Sequence, residues 1–154
     1  MSAMFSEGTM VTELPDIVEA FELLGDWDAR YQYLMELGEN LPVMPEALKT
    51  DENRVKPCMS TVHVCACRSA ESSDRIRFHG DCDTAIIKGV LAVLIALCND
   101  RNIEDVQAID MDRVFEQLQL NEHLSPNRHV GVYAIVELMK KQALQLGSTT
   151  RETA

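Results

Sequence analysis

The sequence predicts one α+β domain in which helices cover a small antiparallel β-sheet. Two stretches of alternating apolar and polar residues, 59–68 and 75–80, lie close together and are typical of a β-hairpin. Segments with apolar residues at helical spacing lie on both sides of this hairpin. A chain of 154 residues that is 46% apolar is large enough to bury one core. We therefore expect a domain over 14–146, between flexible ends at 1–13 and 147–154.

The first two helices are predicted from their apolar stripes. The first begins at Leu14 and closes at Gly25, a residue that commonly ends helices. Its stripe consists of Ile17, Val18, Phe21 and Leu24. The second helix begins near Asp26 or Asp28 and ends around 38–40. Its buried stripe consists of Trp27, Tyr31, Leu34 and Met35.

The middle of the chain is predicted to contain the hairpin and one buried helix. Residues 41–45 read as a loop, and 46–57 as a mainly polar connection. In the first strand, Val62, Val64 and Ala66 alternate with His63, Cys65 and Cys67. A turn over 69–74 joins the strands. Residues 84–98 then form a nearly all-apolar helix, which has to be buried on most of its sides.

Three further helices complete the predicted domain. Two short ones lie near 103–107 and 110–118. Ser125 and Pro126 make a good N-cap and first-turn pair for the last long helix, which is predicted to end at Gly147. The apolar stripe of that helix consists of Val132, Ile135, Val136 and Met139.

The charge pattern limits the class of partner. The formal net charge is −11, and residues 13–52 carry eleven acids against two bases. This composition argues against binding to nucleic acid or to an anionic membrane, because both require basic patches. The acidic stretch is either a solvated face or a surface that steers a basic partner.

Three features predict a location in the cytoplasm. The first eight residues lack both the basic start and the apolar run of a secretory signal. The most apolar segment, 85–98, is shorter than the roughly 20 residues that span a bilayer. The chain has five cysteines, an odd number at irregular spacing, which suits a reducing compartment better than a disulfide framework.

Cys58 is the residue that the sequence singles out for chemistry. It lies in a polar loop, and the cations Arg54 and Lys56 precede it. The thiolate is the nucleophile in sulfur chemistry, and nearby cations lower the pKa of a cysteine from about 8.5 toward neutrality. Asp51 and Glu52 partly offset this effect. The alternative is a buried structural cysteine, which is what most free cysteines are.

A metal site is a second hypothesis for the sulfur and imidazole groups near the hairpin. Its candidate ligands are His63, Cys65, Cys67, His79 and Cys82. Cys65 and Cys67 are two apart on a strand, which places their Cα atoms about 6.5 Å apart. Structural zinc sites instead take their paired cysteines from one turn. Scattered cysteines on strands and turns are therefore the simpler interpretation.

Asp83 and Arg128 are the remaining candidates. Asp83 precedes the apolar helix, where it is expected either as the N-cap or as a contact for a partner. Arg128 lies in the first turn of the last helix, where the helix dipole disfavours a cation. It is either a simple exposed arginine or a member of an ion pair or interface.

Five motifs occur in one order along most of the chain. They are Trp27-x-x-Arg30-Tyr31, Leu37-Gly38-x-x-Leu41-Pro42, Val55-x-x-Cys58-x-Ser60-x-Val62, Gly80-Asp81-x-Asp83-x-Ala85-Ile86-Ile87-Lys88-Gly89 and Leu124-Ser125-Pro126-x-Arg128. Together they resemble the SufE family of sulfur-acceptor proteins. Two positions depart from the family pattern: Pro57 stands where the family usually has glycine, and His63 where it commonly has tryptophan.

The resemblance implies a compact α+β fold shared with the IscU-like scaffolds. It implies a protein that takes sulfane sulfur from a cysteine desulfurase, of the SufS or the CsdA type, stimulates that enzyme and delivers sulfur to an iron–sulfur scaffold protein. Cys58 aligns with the acceptor cysteine, Arg128 with an arginine of the active-site surface, and Asp83 with an acidic position before the buried helix. The desulfurase carries pyridoxal phosphate, and no cofactor is implied for this chain.

The resulting hypothesis is transpersulfidation by a partner protein that is not a self-sufficient enzyme. The Cys58 thiolate, favoured by Arg54 and Lys56, attacks the outer sulfur of the persulfide on the desulfurase. We expect the loop to fold Cys58 against an apolar pocket when no partner is bound. One alternative is an adaptor that regulates the desulfurase by docking alone. Another is a metal- or Fe–S-binding scaffold formed by Cys65, Cys67, Cys82 and His63. The role of Cys98, and whether the protein is a monomer or a homodimer, stay open.

Overall fold

The computed structural model describes residues 14–56, 60–72 and 74–153, and the predicted flexible start, 1–13, lies outside them. The α+β prediction is confirmed: helices cover a two-stranded sheet. The elements in chain order are α1 (Leu14–Leu24), α2 (Trp27–Glu39), β1 (Val62–Arg68), β2 (Ile76–Cys82), α3 (Ala85–Cys98), α4 (Ile103–Gln107), α5 (Met111–Leu118) and α6 (Pro126–Thr153). Short 3-10 turns lie at Glu46–Leu48 and Leu120–Glu122.

The hairpin of β1 and β2 forms as predicted. The strands are antiparallel, with Val62 opposite Cys82 and Arg68 opposite Ile76. Alternate residues of both strands are buried, so one face of the sheet belongs to the core. Gly80 lies on this face, and a Cβ added there would come within 2.9 Å of side-chain atoms of both Leu91 and Ile95. The strand therefore uses a glycine where α3 crosses closely over it.

Helix α3 is buried because the sheet covers one side of it and α2 covers another. Two glycines, Gly38 of α2 and Gly89 of α3, face each other at the crossing. A Cβ added to Gly38 would lie 2.9 Å from the backbone nitrogen of Gly89. Without side chains at these two positions the helix backbones come into direct contact. This contact places the first turns of α3 beside the second half of α2, where the candidate site is built.

A buried glutamine of α6 covers the free edge of β1. The Gln142 side chain is 9% exposed. Its Nε2 donates to the Val64 carbonyl at 2.9 Å and to Asn53 Oδ1 at 3.1 Å, and its Oε1 accepts from the Ala66 N–H at 3.0 Å. The amide thus bonds backbone groups that a neighbouring strand would otherwise satisfy.

The last helix is longer than the sequence predicts. The expected end at Gly147 is wrong, because α6 continues to Thr153. A Cβ at Gly147 would lie 2.6 Å from the Ile103 side chain, so this glycine serves close packing against α4 rather than termination. The predicted stripe of Val132, Ile135, Val136 and Met139 is buried. In the part of the chain that the structure describes, no helix combines the length and the apolar character needed to cross a lipid bilayer.

Candidate functional site

The candidate site is described by the two chain segments that flank Cys58. Cys58 itself, with Pro57 and Met59, lies outside the described residues. We call residues 53–56 the leading arm and residues 60–64 the trailing arm. Their contacts fix the place in the fold from which the chain leaves toward the thiol and to which it returns.

The two arms are hydrogen-bonded to each other. The Val55 N–H donates to the Val62 carbonyl at 2.9 Å, and the Val64 N–H donates to the Asn53 carbonyl at 2.9 Å. Arg54 lies opposite His63 in the same antiparallel arrangement. Residues 46–56 form the connection that the sequence predicts over 46–57, and the structure adds that its end pairs with β1 through an isolated bridge and two backbone hydrogen bonds. The Val55 side chain is buried in the core, and this burial holds the leading arm against β1.

The trailing arm is also tied to the start of α3. The Ser60 and Thr84 hydroxyl oxygens are 2.6 Å apart. The Thr61 N–H donates to Asp83 Oδ1 at 3.0 Å, and the Asp83 N–H donates back to the Thr61 carbonyl at 3.2 Å. Three hydrogen bonds thus join two consecutive residues of the arm to two consecutive residues before the helix.

Asp83 does not have the N-cap role that its position suggested. The N-cap residue of α3 is Thr84, and no side chain bonds the first-turn amides from that position. The Asp83 carboxylate is used instead on the Thr61 amide, across the gap to the trailing arm. The N-cap prediction is wrong because the Asp83 carboxylate bonds the backbone N–H of Thr61 rather than the amides of the first turn of α3.

Removing the Asp83 carboxylate is expected to loosen the trailing arm. In Asp83→Ala the Thr61 N–H loses its acceptor, and we expect its hydrogen exchange to be about tenfold faster, the effect of one hydrogen bond to a charged group. Asp83→Asn is the matched control, because it keeps an oxygen at the same position and should retain most of the protection. Equal exchange at Thr61 in wild type and Asp83→Ala, measured by NMR, would contradict the assigned contact.

The two cations of the leading arm are in different situations. Lys56 forms an ion pair with Asp51, and the lysine holds the pKa of that carboxyl below its ordinary value, by hydrogen bonding first and by charge second. Such an exposed pair contributes little to the stability of the fold. It does, however, offset part of the positive charge that Lys56 places near Cys58 in the sequence. Arg54 is exposed and forms no ion pair with any side chain of the described ranges. Arg54 is therefore the less compensated cation before Cys58.

A cluster of charged side chains around Asp81 joins the elements next to the candidate site. The Asp81 carboxylate accepts from Lys49 Nζ at 2.9 Å and lies 3.4 Å from Lys88 Nζ, while Lys49 also pairs with Glu46 at 2.9 Å. Burial works against the ionised carboxyl, but the hydrogen bonds from the two lysines and the Cys82 amide hold the pKa of Asp81 below its ordinary value. This group links β2, α3 and the 3-10 turn that precedes the leading arm.

A cleft of about 590 Å³ opens next to the start of α3. It is lined by Tyr31, Met35, Ile86, His123, Leu124, Ser125 and Arg128. Ile86 follows Thr84 by two residues, so the α3 wall of the cleft begins where the trailing arm is attached. Ser125 is the N-cap that the sequence predicts, since its Oγ accepts from the Arg128 N–H at 3.4 Å. The cap sets Arg128, which is exposed, at the rim of this cleft.

His123 also lines the cleft, although the sequence did not single it out. Its ring stacks on Trp27 with centroids 3.7 Å apart and an interplanar angle of 16°. The Tyr31 hydroxyl donates to the His123 carbonyl at 2.6 Å. The Arg30 guanidinium also lies over the Trp27 ring, 5.1 Å from its centroid. Because the partners are far apart in the chain, no local spacing could have predicted this stack.

The other cysteines are distributed over different environments. Cys82 is buried on the inner face of β2. Cys65 and Cys67 lie on the outer face of β1, half-buried, and burial raises the pKa of both thiols. Cys98 is buried in α3, and burial raises the pKa of its thiol to about 12. At neutral pH the thiols of Cys65, Cys67 and Cys98 are therefore less ionised than that of an ordinary exposed cysteine.

The strand register separates the residues of the scaffold hypothesis. His63, Cys65 and Cys67 share the outer face of the sheet, whereas Cys82 points into the core from the opposite face. Within the described ranges, no group of three or more His, Cys, Asp and Glu side chains is placed to hold a metal ion. The four residues of that hypothesis therefore do not converge on one site.

Comparison with known proteins gives one consistent family. Residues 15–143 match the SufE family, described as an Fe-S metabolism associated domain. An uncharacterized SufE-like protein of Rhizobium meliloti (strain 1021) is 34% identical over 134 residues, which are 86% of this chain and 96% of that protein. A second uncharacterized SufE-like protein, from Rhizobium etli, is 32% identical over 138 residues, or 89% of this chain and 93% of its own length.

A solved structure supports the same fold. The solution structure of a hypothetical protein from Thermus thermophilus superposes with a TM-score of 0.71. It covers 88% of this chain and 96% of its own, at 20% sequence identity. With a family match over most of the chain and two relatives above 30% identity, the chain belongs to the SufE family.

Proposed function

We propose that this protein accepts sulfur from a cysteine desulfurase on Cys58, holds it as a persulfide, stimulates the desulfurase and delivers the sulfur for iron–sulfur cluster assembly. The family is associated with Fe-S metabolism. The observation that supports the proposal best is the anchoring of both arms. Hydrogen bonds join the arms to each other and to the two residues before α3, so the chain on both sides of Cys58 is held at a fixed base beside an open cleft.

The proposed transfer is an exchange between two sulfur atoms of the same oxidation level. The Cys58 thiolate attacks the outer sulfur of the donor persulfide, a new S–S bond forms, and the donor cysteine leaves as a thiolate. One thiolate is consumed and one is released, so no external oxidant or reductant is required. In delivery, a thiolate of the recipient attacks the outer sulfur on Cys58, and the Cys58 thiolate leaves.

The cleft provides a place to hold the sulfur between the two steps. Two peptide units separate Cys58 from Ser60, so their Cα atoms are at most about 7.6 Å apart. Ser60 is bonded to Thr84, and the cleft begins at Ile86 on the same helix. An apolar wall excludes water and small reductants from a bound persulfide. This arrangement supports the expectation that Cys58 folds against an apolar pocket when no partner is docked.

The charged residues around the loop have separate parts in the proposal. Arg54 favours the attacking thiolate, with a smaller share from Lys56 because Asp51 compensates it. Asp83 holds the trailing arm, and Arg128 at the rim meets the docked partner. The desulfurase, of the SufS or the CsdA type, brings the pyridoxal phosphate, and an iron–sulfur scaffold receives the sulfur. We place the reaction in the cytoplasm, because free thiols persist in a reducing compartment.

Intact-mass spectrometry tests the proposal. After incubation with a cysteine desulfurase and cysteine, the wild-type protein should gain the mass of one sulfur atom, and peptide mapping should place it on Cys58. The Cys58→Ser variant should gain none, since its hydroxyl is not a nucleophile for persulfide sulfur. Cys67→Ser is the matched control, because it removes a half-buried thiol from the face of β1 and should load like wild type.

The outcomes separate the competing functions. Sulfur on Cys58 with loss of desulfurase stimulation in Cys58→Ser supports the carrier. Full stimulation by Cys58→Ser would replace it by an adaptor that acts through docking. Wild-type protein that gains no sulfur on Cys58 in the presence of active desulfurase would rule the carrier out.

A further inference from the structure

Two thiols of β1 are neighbours on the outer face of the sheet. Cys65 and Cys67 are separated by one residue of the strand, so their side chains project from the same face, with Cα atoms about 6.5 Å apart. Burial raises the pKa of Cys65, and the charge of Cys67 raises it further. The ionisation of one thiol therefore acts on the other, as expected for sulfur atoms that lie close together.

A small pocket gives access to this pair. It has a volume of about 170 Å³ and is lined by Asn53, Cys65, Ala66, Gln142, Gln145 and Leu146. Both thiols are half-buried, so a single ion can reach the sulfur atoms while most of each side chain stays covered. A hydrogen bond from Asn53 favours the thiolate of Cys65, although burial and the charge of Cys67 oppose it.

The charges around the pair suit an anionic complex. Arg77 of β2 lies directly opposite Cys67 in the strand register. Burial raises the pKa of Cys67, and the positive charge of Arg77 lowers it. Asp100 pairs with Arg77 at 2.8 Å and compensates part of that charge. Asp81, the acid on the same face of β2, is itself paired with two lysines.

The number of ligands selects the kind of metal ion. Within the ranges that the structure describes, no group of three or more His, Cys, Asp and Glu side chains is placed to hold a metal. Structural zinc sites require four ligands, whereas copper(I) is selected by soft thiolate sulfur and accepts two ligands in a line. With metal–thiolate bonds of about 2.3 Å, a linear unit spans about 4.6 Å between its sulfur atoms. Rotation of both side chains about χ1 can bring sulfur atoms on one strand face to this separation.

We propose that Cys65 and Cys67 bind one copper(I) ion as a linear dithiolate. Each thiol releases its proton to solvent as its sulfur binds the metal, so two protons leave and the complex has one negative charge. No electron is transferred, and the copper stays monovalent. The site lies on β1 and does not involve Cys58, so this inference is independent of the proposed sulfur transfer.

Competition for copper(I) tests the site. Fully reduced protein is added, without oxygen, to the coloured copper(I) complex of bathocuproine disulfonate, and the loss of colour measures the copper withdrawn. Wild type should withdraw one ion per chain. Cys65→Ser and Cys67→Ser each keep one thiol, and their affinity should fall by more than about 100-fold, since even groups that only support a metal ligand are worth 10–100-fold.

Cys58→Ser is the matched control for copper binding, because it removes a cysteine that is not part of the pair. It should bind copper(I) as tightly as wild type. X-ray absorption at the copper edge should show two sulfur neighbours in the wild-type complex. Trp27 is the one tryptophan of the chain, and its fluorescence checks that each variant is folded.

Three results would overturn the inference. They are a wild-type protein that withdraws no copper, a folded Cys65→Ser or Cys67→Ser variant with wild-type affinity, and a nitrogen or third sulfur neighbour at the metal. Loss of copper binding in Cys58→Ser would count against it as well, since the metal would then depend on the other thiol. None of these outcomes bears on the sulfur loading of Cys58, which is measured separately by mass.

Discussion

Replacing Gly89 by alanine is expected to lower the free energy of unfolding by about 3 kcal/mol, the upper end of the usual cost of overpacking. The added Cβ would lie 2.2 Å from the Leu34 carbonyl oxygen, 2.6 Å from its carbonyl carbon and 3.0 Å from its Cβ. Two of these three atoms are helix backbone, which cannot move aside without separating α2 from α3. Alanine is otherwise better than glycine in a helix by about 1 kcal/mol, so the clash decides the sign.

Urea unfolding of Gly89→Ala measures this effect, and Gly80→Ala provides the control. A Cβ at Gly80 would lie 2.9 Å from Leu91 and from Ile95, but the atoms it meets are ends of flexible side chains. We expect that variant to lose about 1–2 kcal/mol. A Gly89→Ala protein as stable as wild type would mean that the two helices do not touch at this point, and the cleft between them would need a different description.

The second large effect is a loss of stability at alkaline pH that depends on Cys98. Burial raises the pKa of this thiol to about 12, against an ordinary value of 9.0. The unfolded chain ionises the thiol near pH 9, while the folded protein keeps it neutral until about pH 12. The stabilising contribution is therefore complete below pH 9 and is lost as pH rises from 9 to 12. Its full size is about 4 kcal/mol.

Comparison of wild type with Cys98→Ala isolates this contribution. The alanine variant is expected to be less stable at pH 7, because it leaves a small cavity, but its free energy of unfolding should fall less steeply above pH 9. Tyr33 and Tyr133 also have raised pKa values, and they remain in both proteins. Parallel pH profiles for the two proteins, from urea unfolding at each pH, would show that Cys98 is not protected from solvent.

The fold was predictable from patterns that are local in the chain. The change of period near Val62 predicted the hairpin, and the apolar run of α3 predicted a buried helix, because alternation and helical spacing report directly on burial. The end of α6 was not predictable. Gly147 has the form of a terminator, but its missing side chain is used against Ile103 of another helix, and only the packed structure shows that.

At the candidate site, the place of Arg128 at the start of α6 was predictable, whereas the choice of Cys58 as the reactive thiol stays a prediction. Adjacent charges and the N-cap of α6 are local signals, and they placed Arg128 correctly at the start of that helix. The bond from Asp83 to the Thr61 amide and the stack of His123 on Trp27 both join residues far apart in the chain. Such contacts depend on how the helices pack, so a single sequence carries no periodic trace of them.

The Gln142 amide has a consequence for how other proteins recognise this one. Exposed strands invite a visiting peptide to pair with them, a common route both to complex formation and to aggregation. Here the hydrogen-bonding edge of β1 that faces away from β2 is already occupied. Residues 53–55 bond its first part, and Gln142 bonds the part that follows. A visiting strand therefore cannot pair with this edge of β1. A partner that binds here has to recognise side chains, and it can dissociate afterwards without leaving a backbone ladder unpaired.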